Sequence, residues 1–165
     1  MFNSFKLSQE GRAIVDVNIK PFDSNKLCPV DFKIDTGADI TTIDKNILIN
    51  ELGYSPKWIG ENIKKHSKRT ITVAGGKEAP AYYVCIEISN ILGHDLKNWA
   101  FFVTNFETKG EFPNLLGIDI LHRFNINFNY NEGKFYIWPI AKSAIKIPLL
   151  ENQEIHETKS IVEKH

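Results

Sequence analysis

The segment from residue 124 to residue 130 constrains the fold more than any other part of the chain. It alternates strictly between large apolar residues and asparagines: Phe124, Asn125, Ile126, Asn127, Phe128, Asn129 and Tyr130. Successive side chains of a β-strand point to opposite faces, so this period of two is typical of a half-buried strand. The Asn131-Glu132-Gly133 sequence that follows predicts a turn into a second strand over 134–138.

Patterns typical of strands recur along the chain. They fall at 11–19, 27–35, 41–43, 70–73, 81–88, 99–104 and 114–116, with one further candidate at 140–150. Apolar residues at helical spacing predict a helix over 45–52 that ends at Gly53, and a helical turn after Gly117. We therefore predict a mostly β domain of about eight or nine strands with one or two short helices, arranged as a small closed barrel or a sandwich.

Length and composition indicate one globular unit. The chain has 165 residues, of which 42% are hydrophobic and 24% charged, as expected of a soluble single domain. We expect that domain to span residues 1–150 and the charged stretch 151–165 to be a flexible tail. The formal charge of +0 and the lack of any apolar run of signal-peptide or membrane-helix length predict no nucleic-acid or membrane partner and a cytoplasmic location.

Metal and covalent-nucleophile chemistry have little support. Cys28 and Cys85 are the only cysteines, too few for a disulfide framework or a structural zinc site in a chain of this size. The histidines never fall at a metal-ligand spacing, and no Gly-x-Ser-x-Gly motif is present. The basic cluster at 64–69 could touch phosphate, but without interleaved aromatic residues a solvated surface is favoured. We expect neither a metal nor a cofactor.

One strand-like segment ends at an aspartate that is followed by a threonine and a glycine. Asp35, Thr36 and Gly37 combine an acid that can act as a base, a hydroxyl that can brace it, and a residue that permits close approach. The same tripeptide is also an ordinary turn sequence. Hydrolysis by paired carboxylates needs two such turns, and Gly37 is the only glycine preceded by Asp-Thr or Asp-Ser. The second aspartate would therefore have to come from an identical partner across a two-fold axis.

Residues 74–80 lie between two strand-like segments and contain Gly75 and Gly76. The sequence predicts a long hairpin with a mobile tip. That hairpin is either an ordinary surface feature or a flap that closes over a ligand, with the glycines giving hinge freedom. It is not a phosphate loop, because no Gly-Lys-Ser/Thr sequence follows the glycines.

Two motifs together resemble a known family. Ile34-Asp35-Thr36-Gly37-Ala38-Asp39 is followed, about eighty residues later, by Leu115-Leu116-Gly117, and the pair is more specific than either motif alone. In this order the chain resembles the retropepsin-like aspartic proteases, which are the retroviral proteases and their cellular relatives, over residues 11–138. The Leu-Leu-Gly-Ile-Asp form is closer to the cellular relatives than to the retroviral enzymes.

The resemblance implies a single acid-protease lobe that acts as a homodimeric endopeptidase on an extended peptide or protein substrate. A water held between the two Asp35 carboxylates would attack the peptide bond, and Thr36 would brace the partner's loop. The implied catalytic set is Asp35, Thr36 and Gly37. The implied substrate-binding set is Ala38, Asp39, Gly75 and Gly76, and Gly37 would also contact the substrate main chain. Leu116 and Gly117 would support the catalytic loop.

Two departures from the family pattern stand beside the active-site motif. Lys33 occupies a position that the family usually keeps apolar. Ile118 stands where retroviral enzymes have an arginine that pairs with the acid at the Asp39 position. We interpret Asp119 as a residue of the helical turn and not as a catalytic one.

Two other hypotheses remain open from the sequence. One is a peptide-binding or dimerisation module with the retropepsin fold and no turnover. The other is an unrelated small-ligand β-barrel in which Asp-Thr-Gly is only a turn.

Overall fold

The computed structural model describes residues 3–73, 76–106 and 112–140, which form ten strands and three short α-helices. The strands are β1 Asn3–Lys6, β2 Ile14–Ile19, β3 Cys28–Ile34, β4 Thr42–Asp44, β5 Lys64–Val73, β6 Lys77–Ile91, β7 His94–Thr104, β8 Leu115–Leu116, β9 Phe124–Asn129 and β10 Lys134–Pro139. The helices are α1 Lys45–Asn50, α2 Pro56–Asn62 and α3 Ile118–Leu121, and a 3-10 turn spans Tyr130–Glu132.

The strands are divided between two sheets. A seven-stranded sheet has the order β2-β3-β8-β4-β7-β6-β5, with an additional pairing of β2 with β6, and a three-stranded sheet has the order β1-β10-β9. The predicted mostly β domain with short helices is confirmed. The predicted single closed barrel is not found in the described residues: the pairing of β2 with β6 joins strands of the larger sheet only, and β10 pairs with β9 on one side and with β1 on the other. These three strands thus form a sheet of their own.

The core forms where the apolar face of each strand turns inward. In β2, Val15, Val17 and Ile19 are buried while Ile14 and Asp16 are exposed, as a period of two requires. Phe32 of β3 is fully buried, and its ring lies 6.0 Å from that of Phe101 in β7. Burying a side chain of this size contributes about 1.5–3 kcal/mol to folding, so such positions fix which face of each strand points inward.

The hairpin of β2 and β3 delivers Asp35 to its loop. The two strands pair antiparallel from Ile14 opposite Lys33 to Ile19 opposite Cys28, as the sequence predicts. On its other side β3 pairs in parallel with β8, where Ile34 lies opposite Leu116. The two segments of the family motif are therefore neighbouring strands.

Several elements differ from the sequence predictions. Helix α1 is found, with Asp44 as its N-cap, and Gly53 beyond it has a positive φ of 73°, the conformation glycine favours there. Helix α2 was not predicted, although Ser55 caps it and Pro56 begins it, both ordinary start signals. Strand β1 was also missed.

Other predictions are extended or lie elsewhere. Strand β5 begins at Lys64, within the basic cluster, and not near residue 70. The strand expected over 140–150 lies, apart from residue 140, outside the described residues, as does the expected tail at 151–165. Among the described helices, none has both the length and the apolar character needed to cross a membrane.

Candidate active site

The loop that follows β3 is a tight turn built around Asp35. The Asp35 backbone N–H donates to the Leu116 carbonyl at 3.1 Å, and the Ala38 N–H donates to the Asp35 carbonyl at 3.1 Å. The Gly37 N–H donates to Asp35 Oδ1 at 3.0 Å, which is the side-chain-to-backbone bond that aspartate commonly makes in turns. The carboxylate is therefore oriented by its own loop, and the loop is tied to β8.

The turn leaves its reactive groups accessible. The Asp35 side chain is 30% exposed, and Thr36 and Gly37 are exposed. In the described part of the chain, nothing accepts or donates a hydrogen bond at the Thr36 hydroxyl. A Cβ at position 37 would lie 3.3 Å from Asp35 Oδ1, so a larger residue would press on the carboxylate. Glycine at this position leaves the carboxylate where the Gly37 N–H orients it.

Leu116 and Gly117 lie directly beneath this loop. Leu116 is fully buried. A Cβ on Gly117 would approach the backbone carbon and oxygen of Ile40 to 2.5 Å and its nitrogen to 2.8 Å, distances that no packed structure accepts. The loop backbone therefore rests on Gly117 in a way that only glycine allows. The Ile118 N–H adds a hydrogen bond of 2.8 Å to the Ala38 carbonyl.

Asp119 joins the second motif to the end of the loop, a role that the sequence interpretation missed. Its carboxylate accepts from the Thr41 N–H at 3.0 Å and from the Thr41 hydroxyl at 2.7 Å, while the Ile120 N–H also donates to it at 2.9 Å. The Thr41 hydroxyl accepts in turn from the Gly117 N–H. Burial raises the pKa of Asp119, and the hydrogen bonds from Thr41 and Ile120 partly oppose that shift.

A second carboxylate, this one fully buried, holds the segment that leaves the loop. Asp44 is 2% exposed and accepts from the Asn46 N–H at 2.7 Å, from the Asn105 amide at 3.1 and 3.2 Å, and from the Phe112 N–H at 2.8 Å. The Asp44 N–H donates to the Asn114 side chain at 2.9 Å. This network ties the end of β4 to the start of α1 and to residues that lie between β7 and β8.

Lys33 pairs directly with the candidate catalytic residue. Its Nζ lies 3.7 Å from Asp35 Oδ2, and the Lys33 side chain is 42% exposed. Lys33 and Asp35 are two residues apart at the end of a strand, so their side chains leave the backbone on the same face. The departure noticed in the sequence thus places a cation beside the carboxylate.

The predicted substrate-binding residues fall in two places. Ala38 and Asp39 are on the Asp35 loop, where Asp39 is exposed and its carbonyl accepts from the Asp119 N–H at 3.3 Å. Gly76 is in the exposed turn between β5 and β6 and has a φ of 74°. Gly75 lies outside the described residues. Hydrogen bonds among the described residues join the Asp35 loop to β8 and α3, not to Gly76.

Comparisons with known proteins bear on the fold. No protein-family model matches the chain, and no curated protein sequence matches it. The crystal structure of a retropepsin-like aspartic protease from Rickettsia conorii is similar, with a TM-score of 0.58 and 20% sequence identity. The match covers 82% of this chain and 98% of that one. At this identity the likeness establishes the fold, that of a small retropepsin-like lobe.

Proposed function

We propose that this protein is an aspartic endopeptidase that hydrolyses peptide bonds as a homodimer. The observation that carries the proposal is the Asp35 turn, which presents a partly exposed carboxylate oriented by the Gly37 N–H. That turn rests on Gly117 and is tied to Leu116, so the carboxylate is held on a rigid base, as a catalytic group must be.

The chemistry follows from placing two copies of this carboxylate together. Two aspartates that share a site cannot both ionise easily, so they hold one proton between them. The charged Asp35 takes a proton from a bound water, whose oxygen attacks the carbonyl carbon of the substrate. The protonated Asp35 of the other copy gives its proton to the carbonyl oxygen. The Asp35 that took the water proton then gives it to the nitrogen, and the carbon–nitrogen bond breaks. The other Asp35 takes back one hydroxyl proton, so an amine and a carboxylic acid are released and the pair again holds one proton.

Other residues of the loop have roles in this proposal. Each Thr36 hydroxyl is exposed and would brace the loop of the second copy across the two-fold axis. Ala38 and Asp39 would bind the main chain of an extended peptide. The β5–β6 hairpin, with Gly75 and Gly76 at its turn, would close over the substrate.

A second candidate is a peptide-binding or dimerisation module of the same fold without turnover. The specific observation in its favour is the Lys33 ammonium, 3.7 Å from Asp35 Oδ2. A cation in that place competes with a water or a substrate for the carboxylate. Peptide binding by the wild type without cleavage would favour this module.

The test compares the wild type with Asp35→Asn and with Asp23→Asn, whose aspartate lies in an exposed turn. Each protein is incubated with a denatured protein mixture from acidic to neutral pH, and new peptide termini are identified by mass spectrometry. The proposal predicts that Asp35→Asn lowers the cleavage rate by at least about a hundredfold, while Asp23→Asn leaves it unchanged. Equal cleavage by all three proteins would exclude Asp35 as the catalytic group.

Sedimentation of the wild type tests the dimer separately. The proposal predicts a dimer at concentrations at which the protein is active. A strict monomer that retains Asp35-dependent cleavage would contradict the two-fold arrangement.

A further inference from the structure

Lys33 is the cation closest to the proposed reaction centre among the described ion pairs. Its Nζ lies 3.7 Å from Asp35 Oδ2, and its side chain is 42% exposed. It is therefore neither buried as part of the core nor remote from the carboxylate that would activate water. Whatever peptide lies across Asp35 also lies within reach of this ammonium.

The cross-strand neighbours of Lys33 carry no charge, and the acid two residues earlier on the same face of β3, Asp31, is hydrogen-bonded to Asp16. The cross-strand partner of Lys33 in β2 is Ile14, and its partner in β8 is Leu115. Both are apolar, and Ile14 is 36% exposed. In the described part of the chain, the carboxylate that pairs with Lys33 is that of Asp35.

In a homodimer, the positive charges of Lys33 outnumber the negative charges of Asp35. The inference rests on the proposed function, in which the two Asp35 carboxylates share one proton and together carry one negative charge. Two Lys33 ammonium groups face that single charge. One of them is left without full compensation whenever the pair is ready to react.

We propose that Lys33 is a specificity-determining residue that selects peptides with an Asp or Glu side chain next to the scissile bond. Neighbouring Cα atoms of a peptide are about 3.8 Å apart, so a side chain flanking the bond begins close to the Asp35 pair. A carboxylate on that side chain accepts a charge-assisted hydrogen bond from the uncompensated Lys33. The exposed Ile14, opposite Lys33, packs against the methylene groups of the substrate's Asp or Glu side chain.

The experiment measures kcat/KM on two peptides that are identical except for Glu or Gln beside the cleaved bond. Their sequence is taken from a site that the wild type cuts in the denatured protein mixture. The wild type is expected to prefer the Glu peptide by about tenfold, the size of one hydrogen bond to a charged group. Lys33→Met, which keeps the side-chain length without the charge, removes the preference and still cleaves both peptides. Lys33→Glu reverses it in favour of a Lys-containing peptide.

The outcomes separate the inference from the proposed function. An unchanged Glu-to-Gln ratio in Lys33→Met, with cleavage that still depends on Asp35, overturns the inference and leaves the protease proposal standing. If no cleavage depends on Asp35, the protease proposal fails, and fluorescence anisotropy of two labelled apolar peptides that differ only in one central Glu or Gln decides the inference. Tighter binding of the Glu peptide by the wild type but not by Lys33→Met supports it, and equal binding overturns it. Lys33→Gln serves as the second neutral variant if Lys33→Met does not fold.

Discussion

Aspartate carboxylates have opposite surroundings in the exposed Asp35 loop and in the residues that support it. We call the supporting residues Asp44, Gly117 and Asp119 the anchors. A carboxylate has about four sites at which it can accept hydrogen bonds. Asp44, 2% exposed, receives donors from Asn46, Asn105 and Phe112. The Asp35 side chain is 30% exposed and accepts one hydrogen bond, from the Gly37 N–H, while the Lys33 Nζ lies 3.7 Å from its other oxygen. The saturated carboxylate is structural, and the one with spare capacity is the candidate for binding water or substrate.

This contrast predicts that substitutions in the two regions have different effects. Changes in the anchors should lower the free energy of unfolding first and activity only as a consequence. Changes in the exposed loop should alter activity while the free energy of unfolding stays nearly constant. Three substitutions in the anchors and one in the β2–β3 hairpin test the stability part of this prediction, and the Asp35→Asn variant described above tests the activity part.

Gly117→Ala should have the largest effect on stability. Its Cβ would lie 2.5 Å from the Ile40 backbone, so the loop must move, and we expect a loss of about 3 kcal/mol or more. Urea unfolding measures this from the midpoint and slope. Gly60→Ala is the matched control, because its Cβ meets nothing within 4 Å and alanine favours a helix by about 0.5–1 kcal/mol. Equal stability of Gly117→Ala and the wild type would show that Gly117 does not support the loop as described.

Asp44→Ala should come next. The substitution leaves the Asn105 amide and the Phe112 N–H without their buried acceptor and removes the N-cap of α1. We expect the unfolding free energy to fall by about 2–3 kcal/mol. Asp23→Ala, in an exposed turn, should change it by less than about 0.5 kcal/mol. If the two alanine variants unfold at the same urea concentration, the buried network contributes nothing.

Asp119 should make the free energy of unfolding depend on pH, with a smaller effect than the two substitutions above. Burial raises its pKa in the folded protein, so the folded state binds a proton more readily than the unfolded state. The stabilisation is complete below the ordinary aspartate pKa, about 4, and is lost as pH rises through the raised value. Asp119→Asn does not titrate there and should lose less stability between about pH 4 and 7 than the wild type. Parallel pH profiles of unfolding free energy would contradict this.

Asp31→Asn should have the smallest effect. Asp31 lies opposite Asp16 across β2 and β3. The side-chain hydrogen bond with Asp16 raises the pKa of Asp31, with burial and the charges of Asp16 and Glu51 adding to the shift. Stability from the shared proton is therefore present at low pH and lost at neutral pH. The asparagine variant should be more stable at pH 7 by less than about 0.5 kcal/mol. A loss of stability at that pH would refute the repulsion between the two carboxylates.

Local patterns in the sequence were enough to predict much of the fold. The β2–β3 hairpin and the alternating strand β9 each show their period of two within a few residues, because a half-buried strand imposes it. Helix α2 carries both a cap and a proline, but it is too short for apolar periodicity to show. Strand β1 has four residues and is defined by its pairing with β10, which no local pattern encodes.

The candidate site was likewise predicted only where its residues are close together in the sequence. The Asp35 turn was found because its residues are consecutive. The contact between Thr41 and Asp119 joins positions 78 residues apart, and that between Asp44 and Asn105 joins positions 61 apart. Either aspartate could have been an ordinary turn or helix residue, so only the three-dimensional structure distinguishes the saturated carboxylates from the exposed one.

One mixing experiment tests the central claim, that each reaction centre needs Asp35 from two copies of the chain. Wild type is refolded together with an equal amount of Asp35→Asn, and its peptide cleavage is compared with that of the same amount of wild type refolded alone. Random pairing leaves about a quarter of the dimers with two Asp35 residues, so activity should fall to about half. Activity that is unchanged by the added variant would contradict the claim.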